Sequence, residues 1–131
     1  MYYLIDNNME TKTEQISINE WITPEQRRFS YKLYWPFSDI FNPDQTIVDI
    51  NVKLKEDTKT YIGTFLTLEE LASWFDRFAQ NGEYANGTYI PFGEKNKEFL
   101  LKRISHSAIE TTLTDLLEKD EFLNYFEKVN E

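Results

Sequence analysis

The sequence predicts a single α+β domain, residues 1–131, in which helices pack on one side of a mainly antiparallel sheet. Three segments alternate apolar and polar residues with the period of two that is typical of strands, and two segments repeat apolar residues at the three-and-four spacing of helices. At 131 residues, of which 40% are hydrophobic and 28% are charged, the chain is long enough for one core. No repeat, Gly/Ser linker or low-complexity tract divides it.

The predicted strands lie in the first half of the chain. Residues 29–35, 48–54 and 59–66 each alternate, and the turn-like sequence KEDTK joins the last two segments as a hairpin. Residues 1–27 are poorly specified: residues 2–5 are a candidate strand, and Pro24 should end any regular element that reaches it. A further hairpin is predicted from residues 88–92 and 98–104, around GEKNK.

Two predicted helices follow capping boxes, in which a hydroxyl and a carboxylate satisfy backbone N–H groups at a helix start. Thr67 and Glu70 begin a helix over residues 68–80, and Gly82 ends it; Ser107 and Glu110 begin the second helix. Asp120 is predicted to cap a last short helix. The first helix has an apolar stripe that we expect to be buried, formed by Leu68, Leu71, Ala72, Phe75 and Phe78.

Cysteine, histidine and glycine, which form many catalytic, metal and phosphate sites, are scarce in this chain. There is no cysteine, His106 is the only histidine, and the four scattered glycines form no phosphate-binding loop. His106 is expected in the turn before a helix, and the paired acids start predicted helices, where carboxylates favour the positive dipole end. The sequence therefore predicts no catalytic residue, no metal site and no cofactor.

The charge of the chain favours some partners over others. Twenty-three acidic and fourteen basic residues give a net charge of −9, and residues 105–131 hold seven acids and two bases. This excess opposes nucleic-acid binding and favours a basic protein partner, although acidity also simply maintains solubility. No apolar run approaches the roughly 20 residues that span a membrane, and no signal peptide is evident. We therefore expect a cytoplasmic protein without membrane association.

The sequence FSYKLYWPFSDIF, residues 29–41, contains six aromatic residues in thirteen positions. In the strand interpretation Tyr34 points away from the core, and Phe37 lies in a loop beyond Pro36. We predict that Tyr34 and Phe37, bordered by Asp39 and Asp44, form a partner-binding surface, since aromatic side chains are enriched at interface hot spots. The alternative is that Phe37 and Phe41 close the end of the core.

The sequence also resembles one protein family. The segments YIGTFLTLEELASWFDRFAQNGEYANGTYI and RISHSAIETTLTDLLEKDEFLNYFE are similar to small bacterial immunity-type proteins of polymorphic-toxin and contact-dependent inhibition systems. The resemblance covers roughly residues 46–127 and includes no catalytic motif. It implies a cytoplasmic protein that binds and blocks a toxin domain, often a nuclease.

These observations favour a non-catalytic protein-binding module, in particular an immunity protein or inhibitor that neutralises a toxin or nucleic-acid enzyme through an acidic and aromatic surface. Two alternatives stay open: another protein-interaction or structural role, and a small enzyme or small-ligand binder, which would need a pocket. The sequence specifies neither the partner nor the oligomeric state.

Overall fold

A computed structural model describes residues 16–25, 27–91 and 97–129, and it confirms the α+β fold class. Its strands are β1 (Phe29–Tyr34), β2 (Ile47–Leu54), β3 (Thr60–Thr67), β4 (Phe99–Leu101) and β5 (Glu127–Lys128). Its helices are α1 (Leu68–Asn81) and α2 (His106–Glu118), with short helical turns at Tyr84–Gly87 and Phe122–Asn124. The candidate strand at residues 2–5 lies outside the described residues.

The sheet is mainly antiparallel and has the order β1-β2-β3-β4. β1 pairs with β2 and β2 with β3 in antiparallel register, whereas β4 runs parallel to β3. β5 pairs with the first part of β3, at Tyr61 and Ile62, and β4 pairs with the last part, from Phe65 onward. Two short strands therefore share the outer edge of β3.

One face of the sheet carries the core. The alternating residues of β1, β2 and β3 that were predicted to point inward are buried, and α2 covers them with Ile109, Leu113 and Leu116. The C-terminal segment adds Phe122 and Phe126, whose rings stack at 4.4 Å. The three predicted strands are confirmed, because alternating apolar and polar residues are the pattern of a sheet with one buried face.

Helix α1 has the predicted bounds but not the predicted burial. The Thr67 side chain accepts a hydrogen bond from the Glu70 N–H at its start, and Gly82, with φ of 70°, ends it in the left-handed conformation. None of its fourteen residues, all of them described, is buried. The prediction of a buried stripe is therefore wrong.

Three local predictions in the second half are also corrected. The described residues do not form the expected hairpin: Phe99–Leu101 pairs in parallel with β3, and residues 88–91 form no strand. Helix α2 is capped by Ser105, not Ser107, since the Ser105 hydroxyl accepts from the Ala108 N–H at 3.0 Å. Asp120 caps no helix: it has a φ of 58°, and no side chain caps the turn that follows.

In the part of the chain that the structure describes, neither helix is long and apolar enough to cross a membrane.

Candidate protein-binding site

The loop of residues 35–46 lies at one end of the sheet, between β1 and β2. Tyr34, the last residue of β1, pairs with Asp49, and Ile47, the first of β2, pairs with Leu66 near the end of β3. Because β4 runs parallel to β3, it ends on the same side. The loop, the start of α1 and the connection from β4 to α2 therefore meet at this end.

Trp35 anchors the first half of the loop. Its backbone N–H donates to the Asn19 side chain at 2.8 Å, its carbonyl accepts from the same amide at 2.9 Å, and its indole N–H donates to the Asp39 carbonyl at 3.0 Å. The half-buried Trp35 ring packs against the core, and the rings of Phe37 and Phe41 meet it edge-on at 4.9 and 5.0 Å. These contacts fix the course of the loop.

Hydrogen bonds from two segments, the end of β3 and the segment before α2, hold the second half of the loop. The buried Thr46 donates its N–H to the Thr67 hydroxyl at 2.9 Å, and its carbonyl accepts from the Thr67 N–H at 3.0 Å. The Pro43 carbonyl accepts from the Ile104 N–H at 2.8 Å. Asp44 forms an ion pair with Arg103 at 2.7 Å. The second half of the loop is thus tied to the end of β3, where α1 begins, and to the segment before α2.

The tip of this anchored loop is apolar and exposed. Phe37 is 61% exposed and Ile40 is 91% exposed, beside the exposed carboxylate of Asp39. Phe41, in contrast, is half-buried against Trp35, so it does help to close the core. Ile40 was not predicted as part of the site, because residues 36–40 are all exposed and no alternation within the loop marks which apolar residue packs.

The four predicted site residues do not all have the same surroundings. Phe37 and Asp39 lie together in the loop, and Asp44 lies at its far end with its charge paired to Arg103. Tyr34 is exposed on the open face of the sheet, opposite Asp49. Phe37 and Ile40 therefore form the centre of the candidate site, with Tyr34 and Asp44 at its edges.

His106 belongs to a hydrogen-bonded group that links three segments. It is the first residue of α2, and its Nδ1 lies 2.9 Å from the Tyr31 hydroxyl, which donates to the Glu110 carboxylate at 2.7 Å. The Ser17 N–H donates to Nε2 at 3.3 Å, so we assign the proton of the neutral ring to Nδ1. Tyr31 is 0% exposed, so its hydroxyl is closed to a substrate, and its hydrogen bonds link β1 to the start of α2.

Replacement of Tyr31 by phenylalanine tests this structural role. The change leaves Glu110 and His106 without the hydroxyl, and we expect the free energy of unfolding to fall by about 1 to 3 kcal/mol. Tyr34→Phe, which removes an exposed hydroxyl from the open face of β1, is the matched control and should change the free energy of unfolding by less than about 0.5 kcal/mol. Chemical denaturation measures both; equal values would contradict the role.

Two of the clefts among the described residues are lined by several polar side chains. One, of about 350 Å³, lies where β3 changes partner from β5 to β4 and is lined by residues that include Asp49, Glu98, Glu127, Lys97 and Tyr125. These groups present mixed charge to solvent, with the hydroxyl of Thr64 donating to Asp49 at 3.0 Å.

The second cleft, of about 320 Å³, lies beside the β2–β3 turn and includes Asp57 and Tyr61. The Tyr61 hydroxyl donates to Asp57 at 2.6 Å, which lowers the pKa of the Asp57 carboxyl and raises the pKa of Tyr61. Both shifts favour the forms that the two groups already have at neutral pH, an ionised carboxylate and a protonated phenol. The pair therefore supplies no activated acid or base.

Among the described residues, no group of three or more His, Cys, Asp or Glu side chains is placed to hold a metal ion. Comparison with protein-family models, with curated proteins and with solved structures found no match to this chain. The resemblance to immunity-type proteins therefore depends on the quoted sequence segments alone.

Proposed function

We propose that this chain is a non-catalytic protein-binding module whose loop of residues 35–46 docks on a basic protein. In its most specific form, the proposal is an immunity protein or inhibitor that covers the active groove of a toxin or another nucleic-acid enzyme.

The observation that carries the proposal is a fixed loop with an exposed apolar tip. Exposed apolar side chains are usually single and unconstrained, but here Phe37 and Ile40 project from a loop whose two halves are anchored by Trp35 and Thr46. A loop that is already ordered loses little conformational entropy on binding. Most of the free energy gained by burying its apolar surface is therefore available for affinity. Rigid scaffolds that present loops in this way are common in recognition proteins.

Charge supports a basic partner. The chain has a net charge of −9, and Asp39 and Asp49 lie beside the exposed residues of the loop and of β1. Nucleases that bind phosphates present Lys and Arg side chains. An acidic protein with complementary potential associates rapidly with such a surface and excludes the nucleic-acid substrate from it.

A retention experiment tests the proposal. The immobilised chain is exposed to lysate of the source cells at about 0.1 M salt, where surface charges are only partly screened, and bound proteins are eluted with salt and identified. We expect one basic protein, held in a 1:1 complex by light scattering, whose cleavage of nucleic acid stops when the purified chain is added. Retention of no stoichiometric partner, or an enzymatic activity of the chain itself, would contradict the proposal.

A further inference from the structure

Helix α1 presents an apolar stripe that is left uncovered. Leu68 is 50% exposed and Phe75 is 39% exposed, and Ala72 between them is exposed as well. In proteins, most of the stability of an amphipathic helix comes from packing its apolar face, and contiguous exposed apolar patches usually mark interaction sites. An ordered helix that buries none of its residues is therefore a candidate for contact with another molecule.

The C-terminal half of α1 already has a neighbour. The turn Tyr84–Gly87 folds back on it, with the rings of Phe78 and Tyr84 edge-on at 4.7 Å. Gly87 packs so closely that a Cβ there would meet the Phe75 carbonyl and lie 2.8 Å from the Ala79 nitrogen. This turn supports the C-terminal end of the helix, so the open part of the stripe consists of Leu68, Ala72 and the side chain of Phe75, with Leu71 half-buried beside them.

One border of the stripe is acidic. Glu69 and Asp76 are seven residues apart, so they share a flank of the helix at a separation of about 10 Å. Both are exposed, and neither forms an ion pair with the described residues. The single cation of the helix, Arg77, lies toward the other flank and pairs with Glu70 at 3.4 Å. The open border therefore offers two carboxylates to a partner.

The stripe adjoins the proposed docking loop. Thr67, the residue that caps α1, exchanges backbone and side-chain hydrogen bonds with Thr46, the last residue of the loop. A protein that contacts Phe37 and Ile40 at this end of the sheet would thus be close to Leu68.

We propose that the first half of α1 is the second part of the docking surface, occupied by an apolar patch of the same basic protein, with Lys or Arg side chains opposite Glu69 and Asp76. This inference rests on the proposed function. A second copy of the chain is a poorer occupant because an antiparallel pair of α1 helices would bring the Glu69 and Asp76 borders together, between two molecules that each carry a charge of −9.

Paired variants test the inference with the basic protein that the wild-type chain retains, purified and titrated by calorimetry. Leu68→Ser with Phe75→Ser should raise Kd about tenfold or more. Glu69→Lys with Asp76→Lys should raise it several-fold at about 0.1 M salt and by much less at about 1 M salt, where the Debye length falls to roughly 3 Å. Asn81→Lys, an exposed position at least about 120° around the helix from the open part of the stripe and from its acidic border, is the matched control and should leave Kd unchanged. Thermal unfolding of each variant checks that the fold is kept; the exposed charge variants test the inference even if the apolar pair unfolds.

The outcomes separate the inference from the function. If the α1 variants bind as tightly as the wild-type chain while loop variants fail, the inference is wrong and the proposed function stands. A wild-type chain that retains no basic protein would overturn both. A dimer in light scattering that Phe75→Ser converts into a monomer would assign the stripe to a second copy and would also overturn the inference.

Discussion

Replacing Gly63 by alanine should lower the free energy of unfolding by about 2 to 3 kcal/mol, toward the upper end of the cost of overpacking a core. Gly63 lies in the middle of β3, and a Cβ there would lie 2.7 and 2.8 Å from Cδ2 and Cζ of Phe126 and closer still to Cε2. The Phe126 ring cannot move away easily, because it is buried and stacks on Phe122 at 4.4 Å and on Phe99 at 5.8 Å. Chemical denaturation measures the loss.

A control and a double variant isolate the cause. In Gly82→Ala the new methyl group lies at an ordinary contact distance, 3.9 Å, from the Asn86 side-chain oxygen, so only the φ of 70° is unfavourable and the cost should be about 1 kcal/mol. Phe126→Leu removes the ring atoms that the Gly63→Ala methyl group meets. The two changes together should therefore cost at least about 1 kcal/mol less than the sum of the single costs. Strict additivity would mean that the ring does not limit Gly63.

Trp35→Ala should lower the free energy of unfolding by about 2 to 3 kcal/mol, somewhat below the range of roughly 3 to 5 kcal/mol for a fully buried aromatic residue. The ring is half-buried, holds Phe37 and Phe41 edge-on, and donates its indole N–H to the Asp39 carbonyl. Its loss should therefore also release the loop, which faster hydrogen exchange of the amides of residues 37–41 would reveal.

Phe37→Ala is the control for the Trp35→Ala variant. Phe37 is exposed and only touches the edge of Trp35, so its removal should change the free energy of unfolding by about 0.5 kcal/mol or less. Trp35 would then be the residue that shapes the loop, and Phe37 a residue that the loop presents. If both variants lose the same stability, Phe37 belongs to the core, as the alternative prediction from the sequence holds.

Strands were predictable where one face is buried. Val48, Ile50 and Val52 alternate with polar residues because the open face of β2 meets solvent, and this local pattern needs no knowledge of the partner strand. β4 could not be assigned in the same way. It is three residues long, and its parallel pairing with β3 depends on residues about 34 positions apart, which no local pattern records.

The sequence pattern of helix α1 predicts where the helix begins and ends but not what packs against its apolar face. Thr67 and Gly82 mark its ends through local hydrogen bonds and backbone conformation, so the bounds followed from the sequence. The spacing of Leu68 and Phe75 establishes an apolar face but not what covers it. The second half of the predicted capping box also failed, because the Glu70 carboxylate accepts from the Trp74 indole at 3.0 Å instead.

The candidate site was predictable only in part. Pro36 ended the strand and placed Phe37 and Asp39 in a loop, which correctly suggested exposure for both. The contacts that fix the loop are not local: Asn19 reaches Trp35 across 16 residues, and Thr46 reaches Thr67 across 21. The role of Trp35 as an anchor, and the exposure of Ile40, therefore required the structure.

The claim that the loop tip is the docking surface is tested most directly by one calorimetric comparison. The basic protein that the wild-type chain retains is titrated with the wild-type chain, with the Phe37→Ser and Ile40→Ser double variant, and with Leu123→Ser, which removes a 68% exposed apolar side chain elsewhere. We predict that the double variant keeps its Tm and binds about 100-fold more weakly, as expected for two central interface residues, while Leu123→Ser binds like the wild-type chain. Equal Kd values for all three proteins would contradict the claim.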